Sequence, residues 1–452
     1  MNTTADRLSR WTPSIFACAL VNLALGLLLA ISGLAWPETP AGAPATLAMV
    51  HLLTIGWLML LMLGALFQFV PVITGRKLPS QWFALATLVG VELGLASMVC
   101  GFLALGGNAL AAVLLPIGGS VVMIAVLTGG AALLVPLMRK RPRPLSAWFI
   151  LAGLAFLLLT VLLGLTFAFA LTVPSAGPLL ALLLASGVAY HVLAGLGGWF
   201  TLTAIGVSYE LLPMFMLAPH ERGRLGKAVL WLGAGGFAAA LAAGLAGALW
   251  PLRWIGVPEQ AGRLAIVLAL ALYLVDVARI YHDRRRRQIE LHNRAAVGAF
   301  ISLGFTVLLA AWAAAAGRLA AFAPVLVLLF LLGWLSGLGL TQLYKIVAFL
   351  SWLQRFGNRL GRAPVPRVQD LVNEQRAAGL FALYFTALGA AAVAVAFGQP
   401  VATRAALAVS LLAVLLLARE YARAWRGYYA VDRSSGPSSG TTTLSRIKGV
   451  HP

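Results

Sequence analysis

Negative charge is scarce in this chain and cysteine scarcer still. Only 13 of 452 residues are Asp or Glu, and the two cysteines, Cys18 and Cys100, both fall inside apolar runs. There is no C-x-x-C and no C-x-x-C-H, which excludes a disulfide framework, a thiolate metal cage and covalently attached haem. Histidine is nearly as rare, at 6. No nucleotide-binding loop, no Ser-His-Asp arrangement and no soluble domain of useful size is visible. What remains is apolar: 61% of the residues are hydrophobic, against roughly 45–50% in soluble domains. The chain is therefore expected to be an all-α integral membrane protein with the lipid bilayer as its main partner.

Apolar runs long enough to cross a hydrocarbon core about 30 Å thick recur twelve times, centred near Leu25, Leu60, Val91, Ala125, Phe156, Leu196, Gly236, Leu270, Leu303, Leu335, Gly389 and Leu412. The formal charge of +20 would suggest nucleic acid in a soluble chain. Here its distribution decides otherwise. Alternate loops collect Arg76, Lys77, the run 139–143, Arg222, Arg224, Lys227, the run 284–287, Arg294 and the stretch Arg355 to Arg376, while the other side receives only Arg253, Arg263, Arg318 and Arg404. That asymmetry follows the positive-inside rule. It predicts a multi-pass protein of a bacterial plasma membrane with both termini cytoplasmic, and no nucleic-acid partner. The first run is too long for a signal-peptide core. A single membrane domain is expected over residues 1–430, followed by a polar, disordered cytoplasmic tail at 434–452.

Three stretches align on a Gly-Trp pair: GWLMLLMLGALFQFVPVI from Gly56, GWFTLTAIGVSYELLPMF from Gly198 and GWLSGLGLTQLYKIVAFL from Gly333. In that register Phe67, Tyr209 and Tyr344 coincide, as do Gln68, Glu210 and Lys345, while Pro71 meets Pro213 and Gly64 meets Gly206. The copies fall in helices 2, 6 and 10. A period of four helices restores chain direction, so the units, roughly 13–138, 146–282 and 295–424, are expected to be parallel pseudo-repeats around an axis along the membrane normal. Helices 2, 6 and 10 then form the inner set.

Twelve helices in three such units, with His51 opening helix 2 and a proline motif FVPVITG closing it, resemble subunit I of the haem-copper oxidases. In that family the helix 2 histidine is an axial ligand of a low-spin haem. The pattern His51, Gly56, Gly64, Pro71, Thr74, Gly75, Arg76 is also similar to a motif of the NnrS-type membrane proteins, a haem- and copper-containing group implicated in nitric-oxide responses. The stretch HVLAGLGGW from His191 resembles their second histidine motif less closely. Oxidases further need a His-His pair in helix 7 and an H-x-H in helix 10, and this chain has no histidine in either. Oxygen reduction at a haem-copper centre is therefore not expected.

Of the histidines, His220, His282 and His292 accompany arginines in loops and His451 is in the tail, leaving His51 and His191 inside apolar runs. Both lie toward the outer ends of helices that run the same way, so they share a depth. Two neutral imidazoles from different helices suit a b-type haem iron, with copper as a second possibility. The blander alternative is that each bonds a neighbouring carbonyl. His51 is six residues before its tryptophan and His191 eight, an offset that a bulge in Gly195-Leu196-Gly197-Gly198 would absorb. About ten residues, hence about 15 Å, inward of the Gly-Trp pairs, Gln68, Tyr209, Glu210, Tyr344 and Lys345 are expected to meet as a polar layer with Glu210 and Lys345 neutralising each other, either as a lock on the bundle or as a proton or ion relay. Glu92 has no evident partner, and Asp276 is expected to pair with Arg279. Trp57 and Gly64 suit packing, and Pro71 a bend or stop. Three functions follow: a haem-binding, oxidase-like protein handling electrons or nitric oxide; a permease for a small solute, copper or haem built on the Glu210/Lys345 layer; or an assembly partner of a respiratory complex.

Overall fold

The computed structural model describes residues 11–173, 177–250, 254–362 and 364–428. The predicted tail at 434–452 lies outside them. No strand occurs among the described residues. Twelve helices are long and apolar enough to cross a membrane: α1 Thr12–Ser32, α2 Pro44–Thr74, α3 Trp82–Ala104, α4 Leu110–Arg139, α5 Leu145–Thr172, α6 Gly177–Met216, α7 Gly223–Leu249, α8 Gly256–His282, α9 Leu291–Ala315, α10 Leu319–Arg359, α11 Glu374–Ala396 and α12 Pro400–Arg426. In a bilayer core only a helix or closed barrel satisfies every backbone group internally, so these apolar sequences become helices whatever their intrinsic propensities. Their ends are set locally. Prolines stand in the first turns of α1, α2 and α12, where a missing N–H costs nothing, and left-handed glycines, Gly33, Gly75 and Gly427, terminate the same three helices. Pro71 does not stop α2, which continues to Thr74.

Helices α3 and α4, α7 and α8, and α11 and α12 pack as hairpins. Two of these hairpins close on a reciprocal glycine contact. A Cβ on Gly94 of α3 would lie 2.8 Å from the Gly118 carbonyl of α4, and one on Gly262 of α8 would lie 2.7 Å from the Gly236 carbonyl of α7. Small residues let membrane helices approach this closely. Between hairpins, α4 packs on α5, α8 on α9, and α12 on α1, so the outer helices close into a ring. Arg404 of α12 fastens the last seam, donating from Nε to the Ile31 carbonyl (2.8 Å) and pairing with Glu38 (3.1 Å).

Helices α2, α6 and α10 each lie against the helix that precedes the one before their hairpin, α2 on α1, α6 on α5 and α10 on α9. Their Gly-Trp pairs are deeply placed: Trp57, Trp199 and Trp334 are among the largest fully buried side chains. Gly56 faces Asn22 of α1, Gly198 faces the Phe156 ring of α5, and Gly333 faces Ser302 of α9, each too closely for a Cβ. Burial runs along most of α2 but only along the second parts of α6 and α10, where Leu319–Leu328 buries just Val325 and Leu328. Between Gly177 and Val192 only Gly187 is buried, whereas most residues from Ala194 to Met216 are.

The backbone around each pair is unusual. Leu52–Met59, Leu193–Thr201 and Leu329–Ser336 are all π-helical, eight, nine and eight residues long. A bulge was expected only in the second of these. The wider turn carries one backbone residue more per circuit than an α-helix and is rare outside functional or strained positions.

Candidate functional site

His51 ends the α-helical opening of α2, immediately before its π segment. Its Nδ1 lies 2.7 Å from the Leu47 carbonyl, and its ring is tilted over Phe102 of α3 at 4.6 Å between centroids. His191 stands two residues before the second π segment. Its Nδ1 lies 3.1 Å from the Thr160 carbonyl of α5, and Phe167 of α5 meets its ring edge-on at 5.8 Å. Gly164 gives the ring room, since a Cβ there would sit 3.0 Å from the imidazole Cε1.

The tautomer follows from these contacts. A carbonyl can only accept, so each Nδ1 carries the proton and each neutral ring presents the Nε2 lone pair. Neither Nε2 has a hydrogen-bond partner, and neither is sealed inside protein. A histidine whose Nδ1–H is held by a carbonyl and whose Nε2 is open has the arrangement of a metal ligand with its outer support already in place. Among the described residues no group of three or more His, Cys, Asp or Glu could hold a metal ion. Two imidazoles alone leave a bare copper ion short of ligands, whereas a haem brings four nitrogens of its own. The donor set therefore fits haem better than copper. Just beside His191, the Tyr190 hydroxyl donates to Glu259 of α8 (3.1 Å), and Arg263 pairs with the same carboxylate. This contact was not foreseen from the sequence, because Glu259 and Arg263 look there like an ordinary i,i+4 helix pair.

The expected polar layer does not assemble. Glu210 and Lys345 do not neutralise each other: Glu210 accepts from Ser146 Oγ of α5 (3.0 Å), and Lys345 Nζ pairs with Glu290 at 2.5 Å. Gln68 donates to Thr12 Oγ1 of α1. Thr12 and Ser146 stand in the first turns of α1 and α5, and Glu290 is the residue capping α9. All three polar side chains thus turn away from the centre toward the start of an outer helix. The aromatic neighbours do likewise: Tyr209 packs on Phe149 and Tyr273, and Tyr344 on Phe381 and Tyr421. The direction each side chain takes around its helix was not legible in the sequence.

Other charged groups also take partners that sequence reasoning missed. Asp276 pairs with Arg222 (3.6 Å), which replaces the expected Arg279, and Glu92 accepts from Asn22 Nδ2 (2.9 Å). His292, assigned to a loop, is 1% exposed at the start of α9. Its Nδ1 is 3.5 Å from Glu290, and its ring packs on Phe215 of α6. Glu290 gathers Lys345, His292, Arg286 and Gln369. Burial alone would raise the Glu290 carboxyl. The hydrogen bond and charge of Lys345, with the charges of His292 and Arg286, outweigh that and hold it below its ordinary value.

Comparison with protein-family models and with curated proteins gives no match to this chain.

Proposed function

We propose that the chain is a haem-binding, oxidase-like membrane protein that handles electrons or nitric oxide without reducing oxygen, with His51 and His191 as the side chains that would hold the haem. The observation that carries this is the preset tautomer: two imidazoles on different helices, each tethered through Nδ1 and open at Nε2. Bound there, haem would supply a one-electron couple whose potential the axial ligands tune. The chain's own residues do the rest. The Leu47 and Thr160 carbonyls orient the rings and raise their basicity. Phe102 and Phe167 cover ring surfaces and keep water from them.

The architecture belongs to the same reading. The ring of outer contacts, the three π segments, and the matching destinations of Gln68, Glu210 and Lys345 all support three parallel four-helix units around one axis. The Arg-rich end is assigned to the cytoplasm of a bacterial plasma membrane, with both termini there.

The test is a visible spectrum of the protein purified in mild detergent after haem-replete expression. A Soret band that shifts on reduction, and that collapses in both His51→Ala and His191→Ala, is the expected result. A colourless wild type, or a band that survives both substitutions, would overturn the assignment.

A further inference from the structure

A cavity of ≈ 80 Å³ lies where α2, α6 and α10 converge. Its wall is almost wholly apolar and is built from equivalent positions of the three Gly-Trp stretches. Met62, Ala204 and Gly339 fall at one position of that register, and Ala65, Val207 and Gln342 at the next one facing the cavity. Gln342 breaks the pattern: two copies carry an apolar side chain and the third a carboxamide. It is 9% exposed, and neither its Oε1 nor its Nε2 has a hydrogen-bond partner. Buried amides are nearly always paired, so a native orphan of this kind marks a missing occupant.

Water is a poor occupant. By this measure a water takes roughly 10–15 Å³, so the cavity has room for about six, yet each needs two or more polar partners. The Ser208 hydroxyl is already shared with Ala204 and Tyr273. The Thr203 hydroxyl points at Gly153 of α5, away from the axis. One water on Gln342 would leave most of the space empty. A carboxamide presents a donor and an acceptor side by side, and its full complement is a group that does the same in reverse.

We propose that this cavity binds a small neutral solute with an amide-like edge and a short apolar body, held by Gln342 through paired hydrogen bonds. The site has the anatomy of a small-molecule pocket, an apolar wall with one directing polar group. It is lined by residues of three helices and shares none with the histidine site, so it stands whether or not haem is bound.

Propionamide is the probe, because its amide fits Gln342 and its ethyl group fits the wall. With the full-length protein in lipid nanodiscs, ligand-observed saturation-transfer NMR should detect saturable binding through the propionamide methyl signal. Gln342→Leu keeps the bulk and removes the amide, and should weaken binding about tenfold. Ala65→Phe fills the cavity from another helix and should abolish it, with thermal melting showing that both variants fold. No saturable transfer to the wild type, equal affinity in Gln342→Leu, or binding that survives Ala65→Phe would each overturn the proposal. The haem spectrum of both variants should match the wild type, so failure here is distinguishable from failure of the histidine assignment.

Discussion

Glu290 is the most heavily engaged carboxylate of the Arg-rich end, and its chemistry sets a pH limit. Its folded-state value lies below the ordinary 4.5, so the stability it contributes is fully present above that value and is lost as pH falls through the lower, folded one. Melting in detergent should therefore drop on acidification below about 4.5, the ordinary carboxylate value. Glu290→Gln should flatten that drop while costing about 3 kcal/mol at neutral pH, because Lys345 is left buried without its partner. If the variant melts like the wild type at neutral pH, the pair is not stabilising. The sequence made Lys345 conspicuous as a charge within an apolar helix. It did not disclose the partner, since Glu290 looked like a loop residue among arginines and His292 like another. The side chains that complete this cluster come from the body of α10, the start of α9 and the connections α8–α9 and α10–α11, and only folding brings them together.

Among the helices themselves, the glycine contacts carry the sharpest consequence. A Cβ on Gly262 would sit 2.6 Å from the backbone nitrogen of Ala240 as well as close to the Gly236 carbonyl, so backbone must move. Gly262→Ala should cost about 1–3 kcal/mol as an overpacked contact and part α7 from α8. Gly389→Ala, with open space around its Cα, should be close to neutral. Thermal melting of the two variants side by side checks this, and equal losses would mean that α7 and α8 are not held by close approach. The Gly-Trp pairs were legible because Trp is rare enough to align on. Of the π turns only the second was legible, through its glycine-rich run; the other two stretches carry no such signal.

Across the whole molecule, the twelve spans were readable from run length. Charge alone gave the expected orientation. Single cysteines in a background lacking Cys18 and Cys100 would test it. Positions 42 and 317, in loops of the Arg-poor end, should react with an impermeant thiol reagent added to intact cells. Position 223, at the start of α7 beside an Arg-rich loop, should react only after lysis. The reverse pattern would invert the protein in the membrane. What the sequence withheld was closure: nothing in the order of helices says that α12 must return to α1.

That closure has a consequence for how the chain is made. As synthesis proceeds, α2 can settle against α1, α6 against α5 and α10 against α9, each on a helix already inserted. One flank of α1, together with the Ile31 carbonyl and Glu38, waits for α12 and Arg404. The earliest made of these twelve helices is thus the last to be sealed. A ribosome that stops before Pro400 releases a chain with an open seam along its first helix, which is the kind of fault that membrane quality-control proteases remove.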